Sequence, residues 1–324
     1  MMIVPNHRPE RKRATLRELS EITGLSTAGV SYALRGQRVS PATERRVRAA
    51  ADRIGFRSDP IARALRGGRT ELVGVVGGSL ADLWHQQFVT SLQGSLRRHG
   101  LRMVLADAAG DAQEELALAR DLAAQRCDGL IVLPIDPSAP DWQVIAAATP
   151  TVSVNASLPA PAGSIRFNSG AGIALALDHL QGLGHREIVV LGGGPHAAQR
   201  RAGVRRVRCG FADDQARAAA ARVLAGTRPP TAVFALSDSI ACGAYQACRD
   251  AGLQVGPDIS VVGFDDIPIS RLLDPALTAV GWDTPGAAVG AAQMLVDAIA
   301  GRPAGEMVIE PRLHVRSSTA PAPL

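Results

Sequence analysis

The sequence predicts an α/β protein: a small three-helix head, a short connecting helix, then a large body of two doubly wound parallel sheets. Three observations predict it. Residues 15–35, TLRELSEITGLSTAGVSYALR, read as two short helices around a tight turn. From Leu72 onward, short apolar runs bounded by Gly, Pro or Asp alternate with helical stretches. Charge divides at the same place: residues 1–70 hold fifteen Lys+Arg against six Asp+Glu, a net of +9, whereas the other 254 residues hold 20 against 24, a net of −4.

The head is justified first. Thr15 and Glu18 form a T-x-x-E capping box, which satisfies orphan amides at a helix start. Leu16, Leu19 and Ile22 share one helical face, and Gly24 stops the helix because it tolerates positive φ. Ser26 caps a second helix that runs to Leu34, with Val30, Ala33 and Leu34 turned inward. A third helix starts at Ser40, with Pro41 in its first turn, where a missing N–H costs nothing. Val47, Ala50, Ala51 and Ile54 form its buried face. This is a helix-turn-helix pattern, whose second helix is the part that enters a DNA major groove. The competing reading is an ordinary helical hairpin; a basic surplus confined to this segment favours a polyanion partner. The stretch SDPIARALRGGRT that follows makes a helix of about two turns, too short to hold its shape alone in water.

In the body, LVGVVGG, RMVLADA, DGLIVLP and TVSVN read as buried strands, followed by EIVVLGG, TAVFALS, SVVGFDD and TAVGW. Helices are expected at 112–124, 171–183, 238–252 and 286–300, and one between the first two strands carries Phe88, Leu92 and Leu96. Strands buried on both faces and separated by helices imply parallel sheets. Two such series imply two lobes with a ligand cleft between them, at the carboxyl ends of the strands.

Composition excludes several classes. No apolar run reaches the ~20 residues needed to span a bilayer, and MMIVPNHRPERKRA lacks the apolar stretch of a secretory signal. The four cysteines (Cys127, Cys209, Cys242, Cys248) have no metal-binding spacing, so no metal and no cofactor are expected and a reduced cytoplasmic interior is. His179 and His185 flank a helix end and read as surface or capping groups. GGGPH after EIVVL lacks both the dinucleotide fingerprint and the phosphate-loop lysine. No nucleophile elbow stands elsewhere, so an enzyme is not expected.

The segments TLRELSEITGLSTAGVSYALRG, VSPATERRVRAAADRIGFRSDPIARALRGGRT, LVGVV, GHREIVVLGG, TAVFALSD, DISVVGFDD and VRSSTAP, in this order, resemble the LacI/GalR (lactose-repressor) family of bacterial transcription regulators. The resemblance covers nearly the whole chain. It implies a helix-turn-helix domain at 1–57, a hinge helix and linker at 58–70, and a periplasmic-binding-protein-like core at 71–324. The core's N-lobe is expected at about 71–160 and 285–310, and its C-lobe at about 161–284 and 311–324. It also implies a homodimer on operator DNA, a small-molecule effector of the sugar or nucleoside kind, and no membrane.

On the matching positions, the resemblance implies DNA contacts by Thr15, Ser26, Thr27, Ala28, Ser31, Tyr32 and Arg35. In the hinge, Ala62 would face its symmetry mate and Leu65 would wedge a base step. Tyr32 stands where many members carry Arg, the strongest guanine reader, and Gly29 where many carry Thr. Ligand contacts fall on Trp84, His85, Asn168, Arg200, Asp238, Asp265 and Trp282; the competing reading of Asp265 and Asp266 is capping. Phe167 replaces the aspartate usual before Asn168. Between Gly194 and Thr231 the chain is shorter than relatives by about twenty residues, where a whole crossover needs at least ~10–12. One helix or one strand of the C-lobe is therefore expected to be cut. The expected function is a ligand-responsive repressor; the alternative is an effector-independent DNA-binding regulator with a degenerate pocket.

Overall fold

The computed structural model describes residues 14–34, 36–56, 68–159, 161–193, 201–210, 213–303 and 305–323. The chain divides into two compact units, Met1–Thr70 and Glu71–Leu324.

In the first unit, helices α1 (Leu16–Thr23), α2 (Thr27–Leu34) and α3 (Pro41–Ile54) enclose a core of Leu19, Val30, Ala33, Val47, Ala50 and Ala51. The capping box at Thr15 and Glu18 is formed in both directions. Gly24 takes φ +68° and returns its N–H to the Ser20 carbonyl, a left-handed turn that costs glycine least. Ser40 caps α3 ahead of Pro41. Ile22 departs from expectation: it is 44% exposed, because three short helices close over Leu19 and leave the end of α1 uncovered. The connecting helix, with Ala62 and Leu65, lies outside the described residues.

The second unit holds two six-stranded sheets. The first contains β1 (Leu72–Gly77), β2 (Arg102–Asp107), β3 (Gly129–Val132), β4 (Thr151–Val154), β5 (Gly163–Phe167) and β11 (Glu306–Ile309), in the order β11-β5-β4-β3-β1-β2 and parallel throughout. One face packs α4 (Leu83–Arg98) against α10 (Thr284–Ile299), where Phe88, Leu92 and Leu96 meet Ala287, Ala288, Ala291 and Ala292. Small residues at that spacing let the two helices approach closely. The other face is covered by α5 (Ala112–Ala124) and α6 (Asp141–Ala148), through Leu116, Leu122, Trp142 and Ile145.

The second sheet contains β6 (Ile188–Leu191), β7 (Val204–Val207), β8 (Ala232–Ala235), β9 (Ser260–Asp265), β10 (Thr278–Gly281) and β12 (Arg312–His314), in the order β12-β10-β9-β8-β6-β7. β12 alone among these runs antiparallel, against β10. Helix α7 (Ser169–Gly182) covers one face with Ile173, Ala176, Leu177 and Leu180; α8 (Asp213–Leu224) and α9 (Asp238–Asp250) cover the other.

Three expectations are corrected. Strand β5 was not expected and belongs to the first sheet, so the N-lobe continues to Phe167 rather than ending near 160. Its five residues, GSIRF, are too short and mixed to show a period of their own. Of the two alternatives for the shortened segment, a truncated helix or a lost strand, the second is set aside: the strand is present as β7, paired in register with β6, and a helix follows it as α8. Twelve residues join Leu191 to Val204, seven of them outside the described set. His185 is not a surface group. It is buried, with Nδ1 on the Thr231 hydroxyl and Nε2 on the Ser260 hydroxyl and the Ala320 carbonyl, where it ties the C-terminal segment to the second sheet.

Candidate functional site

Two regions concentrate the expected residues. In the first unit, α2 buries Val30 and Ala33 and therefore turns Thr27 and Ala28 fully outward, with Ser31 and Tyr32 partly exposed on the same side. Positions i, i+1, i+4 and i+5 share one helical face. Thr15 and Ser26 are exposed as well, but their hydroxyls are occupied as caps: Thr15 Oγ1 accepts from the Glu18 N–H at 3.2 Å, and Ser26 Oγ accepts from the Gly29 N–H at 3.1 Å. The Arg38 guanidinium lies 5.4 Å from the centre of the Tyr32 ring, so a cation accompanies the residue that replaces the usual arginine. Sequence reasoning missed this pair; Arg38 sits six positions on, beyond the helix, with φ +55°. On α3, Arg46 donates to the Thr23 carbonyl and Arg48 pairs with Glu44, while Arg45 is exposed. Arg35 lies outside the described residues.

In the second unit the site is built where the chain passes between sheets. Phe167 ends β5, Trp282 follows β10, and Asn168 donates its backbone N–H to the Ile309 carbonyl at the end of β11. Aromatic rings join across these passages. Trp84, on α4, stacks with Phe88 at 5.6 Å and meets the edge of Phe167 at 5.0 Å. Phe167 meets Trp282 at 5.3 Å, Trp282 meets Phe264 at 5.3 Å, and Phe264 meets Phe234 at 6.0 Å. Six of the chain's eleven aromatic residues thus form one continuous wall through both lobes. Edge-to-face geometry suits their quadrupoles. His85 leans on Trp84 and donates from Nδ1 to the Ser79 carbonyl at 2.7 Å.

Asp265 lies at the carboxyl end of β9 and accepts from Trp282 Nε1 at 3.2 Å. Its φ is +106° and that of Asp266 is +50°, two consecutive non-glycine residues in a costly conformation. Burial, then the neighbouring carboxylates of Asp238 and Asp82, push the Asp265 carboxyl well above the usual carboxylate range. The two adjacent aspartates have separate jobs. Asp266 turns away, to Arg316 at 2.6 Å, with Arg271 and His314 at 3.6 and 3.7 Å. Neither is a cap, so the capping alternative is set aside by the geometry.

Two expected ligand residues are placed otherwise. Asp238 is 1% exposed; its Oδ2 accepts from the Ile267 N–H at 2.8 Å and the Ser270 hydroxyl at 2.5 Å, so it holds the loop after β9. Burial pushes its carboxyl up to about 7, against the hydrogen bonds from Ser270 and Ile267. Any side chain at Gly263 would strike this carboxylate. Asn168 caps α7 through the Ala171 N–H and gives its amide to Glu310 at 3.0 Å, which leaves it a hinge group rather than a free ligand group. Arg200 lies outside the described residues. Residues that sequence reasoning missed are Phe264 and Asp82. The first stands beside Asp265 in the GFDD run, and the second caps α4 through the Trp84 N–H.

The chain matches known proteins along most of its length. The periplasmic binding protein-like domain family matches residues 177–319. The ribose operon repressor of Escherichia coli (strain K12) is 29% identical over 288 residues, which cover 82% of this chain and 87% of that protein. The transcriptional repressor CytR of the same strain is 26% identical over 335 residues, covering 96% and 97%. The solved lac repressor bound to ONPG in its repressed state superposes with a TM-score of 0.83 at 27% identity, covering 95% of this chain and all of that one.

The chain is similar to the LacI/GalR repressors in sequence and in fold. Its head and body follow the LacI/GalR order, helix-turn-helix first and two-sheet core second. Its departures from the LacI/GalR pattern sit at the two candidate sites. Tyr32 with Arg38 stands in the outward face of α2, and Phe167 extends the aromatic wall where a carboxylate is usual.

Proposed function

We propose that this chain is a sequence-specific DNA-binding transcription repressor and not an enzyme. It works in the cytoplasm as a homodimer, and a small molecule bound between the two lobes sets its operator affinity. One observation carries the reading: α2 buries one side in its own core and presents Thr27, Ala28, Ser31 and Tyr32 outward, on a unit that carries the +9 surplus. Thr27 and Ser31 supply hydroxyls and Ala28 a methyl for base edges; Tyr32 supplies a ring and a hydroxyl, and Arg35 and Arg38 supply phosphate or base contacts. The repressors and the operator-bound lac repressor dimer among the relatives support the same reading. For the dimer, the support is apolar surface left over. β2 is an edge strand that exposes Val104 and Leu105, and Leu272 in the second lobe is 81% exposed, where a monomer's edge needs covering.

The mechanism is linkage. A ligand that favours one arrangement of the lobes changes how the two heads of a dimer reach adjacent half-sites, and it shifts operator affinity by its differential affinity for the two states, typically ~1–3 kcal/mol. The test is selection of bound duplex from a random pool, then titration of the winning site. Leu65→Ala is expected to weaken that site by a few kcal/mol while leaving random duplex nearly unchanged, because a wedge acts only where a base step opens. Equal loss on both removes the wedge; no preference over random duplex at physiological ionic strength removes the function. A second reading, an effector-free regulator, is favoured by the direct ring contacts that join the lobes through Phe167 and Trp282. It requires that no small molecule alter operator affinity.

A further inference from the structure

The pocket that the proposed function assigns to an effector has an unusual lining, and the following rests on that reading. Asp265 bonds Trp282, whose ring meets Phe167 and Phe264, and Phe167 in turn meets Trp84; two further carboxylates, Asp238 and Asp82, lie close enough to act on Asp265. Among the described residues, no arginine or lysine pairs with any of the three; the ion pairs nearby belong to Asp266. One buried polar group among these aromatic rings lacks a partner: Trp84 Nε1, on a ring 6% exposed. A sugar would need several donors and acceptors around its ring. Here the aromatic count is high, Asn168 is already bonded on both sides of its amide, and Phe167 removes an acceptor.

From this lining we infer that the interlobe pocket takes an organic ammonium ion, a positively charged nitrogen on an apolar stem that carries one hydrogen-bond acceptor. The cation lies against the negative faces of the rings and beside the Asp265 carboxylate, the arrangement in which aromatic cages hold quaternary and alkylated amines. It supplies the positive charge that the three carboxylates lack. The acceptor on the stem takes the Trp84 N–H. Binding also draws Trp282, on the second lobe, and Trp84, on the first, onto one ligand, which couples occupancy to the lobe arrangement.

The full-length protein is titrated with choline and with phenethylamine, and in parallel with their uncharged isosteres dimethylbutanol and phenylethanol, and with ribose and adenosine. Tryptophan emission reports binding directly, since two of the three tryptophans line the pocket and Trp142 lies in a separate core. The expected result is saturable quenching by an ammonium compound at least about tenfold tighter than by its isostere. Asp265→Asn, whose amide oxygen can still accept from Trp282, is expected to remove that difference while the folded spectrum persists. Trp282→Phe is a second variant, expected to weaken the ammonium compound and spare the fold. Equal affinity for charged and uncharged members, binding of ribose or adenosine that depends on Asp265, or no binding by either ammonium compound would each overturn the assignment. Operator affinity is measured alongside. A ribose that binds and releases operator sinks the ligand class and leaves the regulator intact; a protein with no operator preference sinks the regulator and leaves the binding result readable.

Discussion

At the scale of single residues, two groups have consequences that can be measured. His185 has its Nε2 against the Ala320 carbonyl oxygen, so that nitrogen carries a proton, and its Nδ1 lies 2.9 Å from the Thr231 hydroxyl. Desolvation by burial lowers its pKa, as it does for His179 beside it. A histidine with a depressed folded pKa contributes stability above its unfolded value, near 6.5, and that contribution is lost as pH falls toward the folded value. The stability that His185 contributes, read as the difference in midpoint between the protein and His185→Gln in parallel thermal melts, is therefore expected to be largest near pH 8 and to shrink as pH drops below about 6.5. The other group is Asp265. Its φ of +106° is a conformation that glycine adopts freely. Asp265→Gly is expected to stabilise the second unit by about 1 kcal/mol in denaturant titrations and to abolish ligand binding. Loss of stability instead would mean that the carboxylate's bond to Trp282 outweighs the strain.

At the scale of elements, the helices of the head are short and survive by their ends and their shared core. α1 has eight residues, well under the ~12 that a lone helix needs. Thr15→Ala removes a cap whose two bonds are both made; the expected cost is about 1 kcal/mol of head stability, read by circular dichroism, with operator binding lowered in proportion. A larger loss of binding than of stability would assign Thr15 a direct contact. Gly24, Gly55, Pro41 and the capping box stand plainly in the sequence because caps are local: each needs only its own turn. β5, β7, β11 and β12 did not stand out, because GSIRF, VRRV, EMVI and RLH carry polar or charged residues and lack the continuous apolar run that marks IVVL or AVFA; such strands are held by the partners beside them. VRRV in particular reads as a surface run until β6 pairs with it.

At the scale of the molecule, charge and apolar burial are divided between two units with separate cores. Residues 71–324 alone are therefore expected to fold, to bind the same ligand within about threefold of the full chain, and to lose operator binding, since the affinity for phosphates rests on the basic head. A shortened protein that fails to bind ligand would show that the head helps build the pocket. The sequence by itself determined the helix-turn-helix, the two parallel series and the family resemblance, because caps, buried apolar runs and ordered motifs are all written in contiguous residues. It also pointed to Asp265 and Trp282. What only the tertiary structure decided is which of the expected groups are already bonded within the fold. Asp238 and Asn168 are bonded to the loop and the helix start they hold, while Phe264 meets Trp282 and Asp82 lies close enough to act on Asp265. The Asp238 partners stand 29 and 32 residues away and Glu310 stands 142 residues from Asn168, and a hydrogen bond already made to a distant loop leaves no mark in the sequence around it.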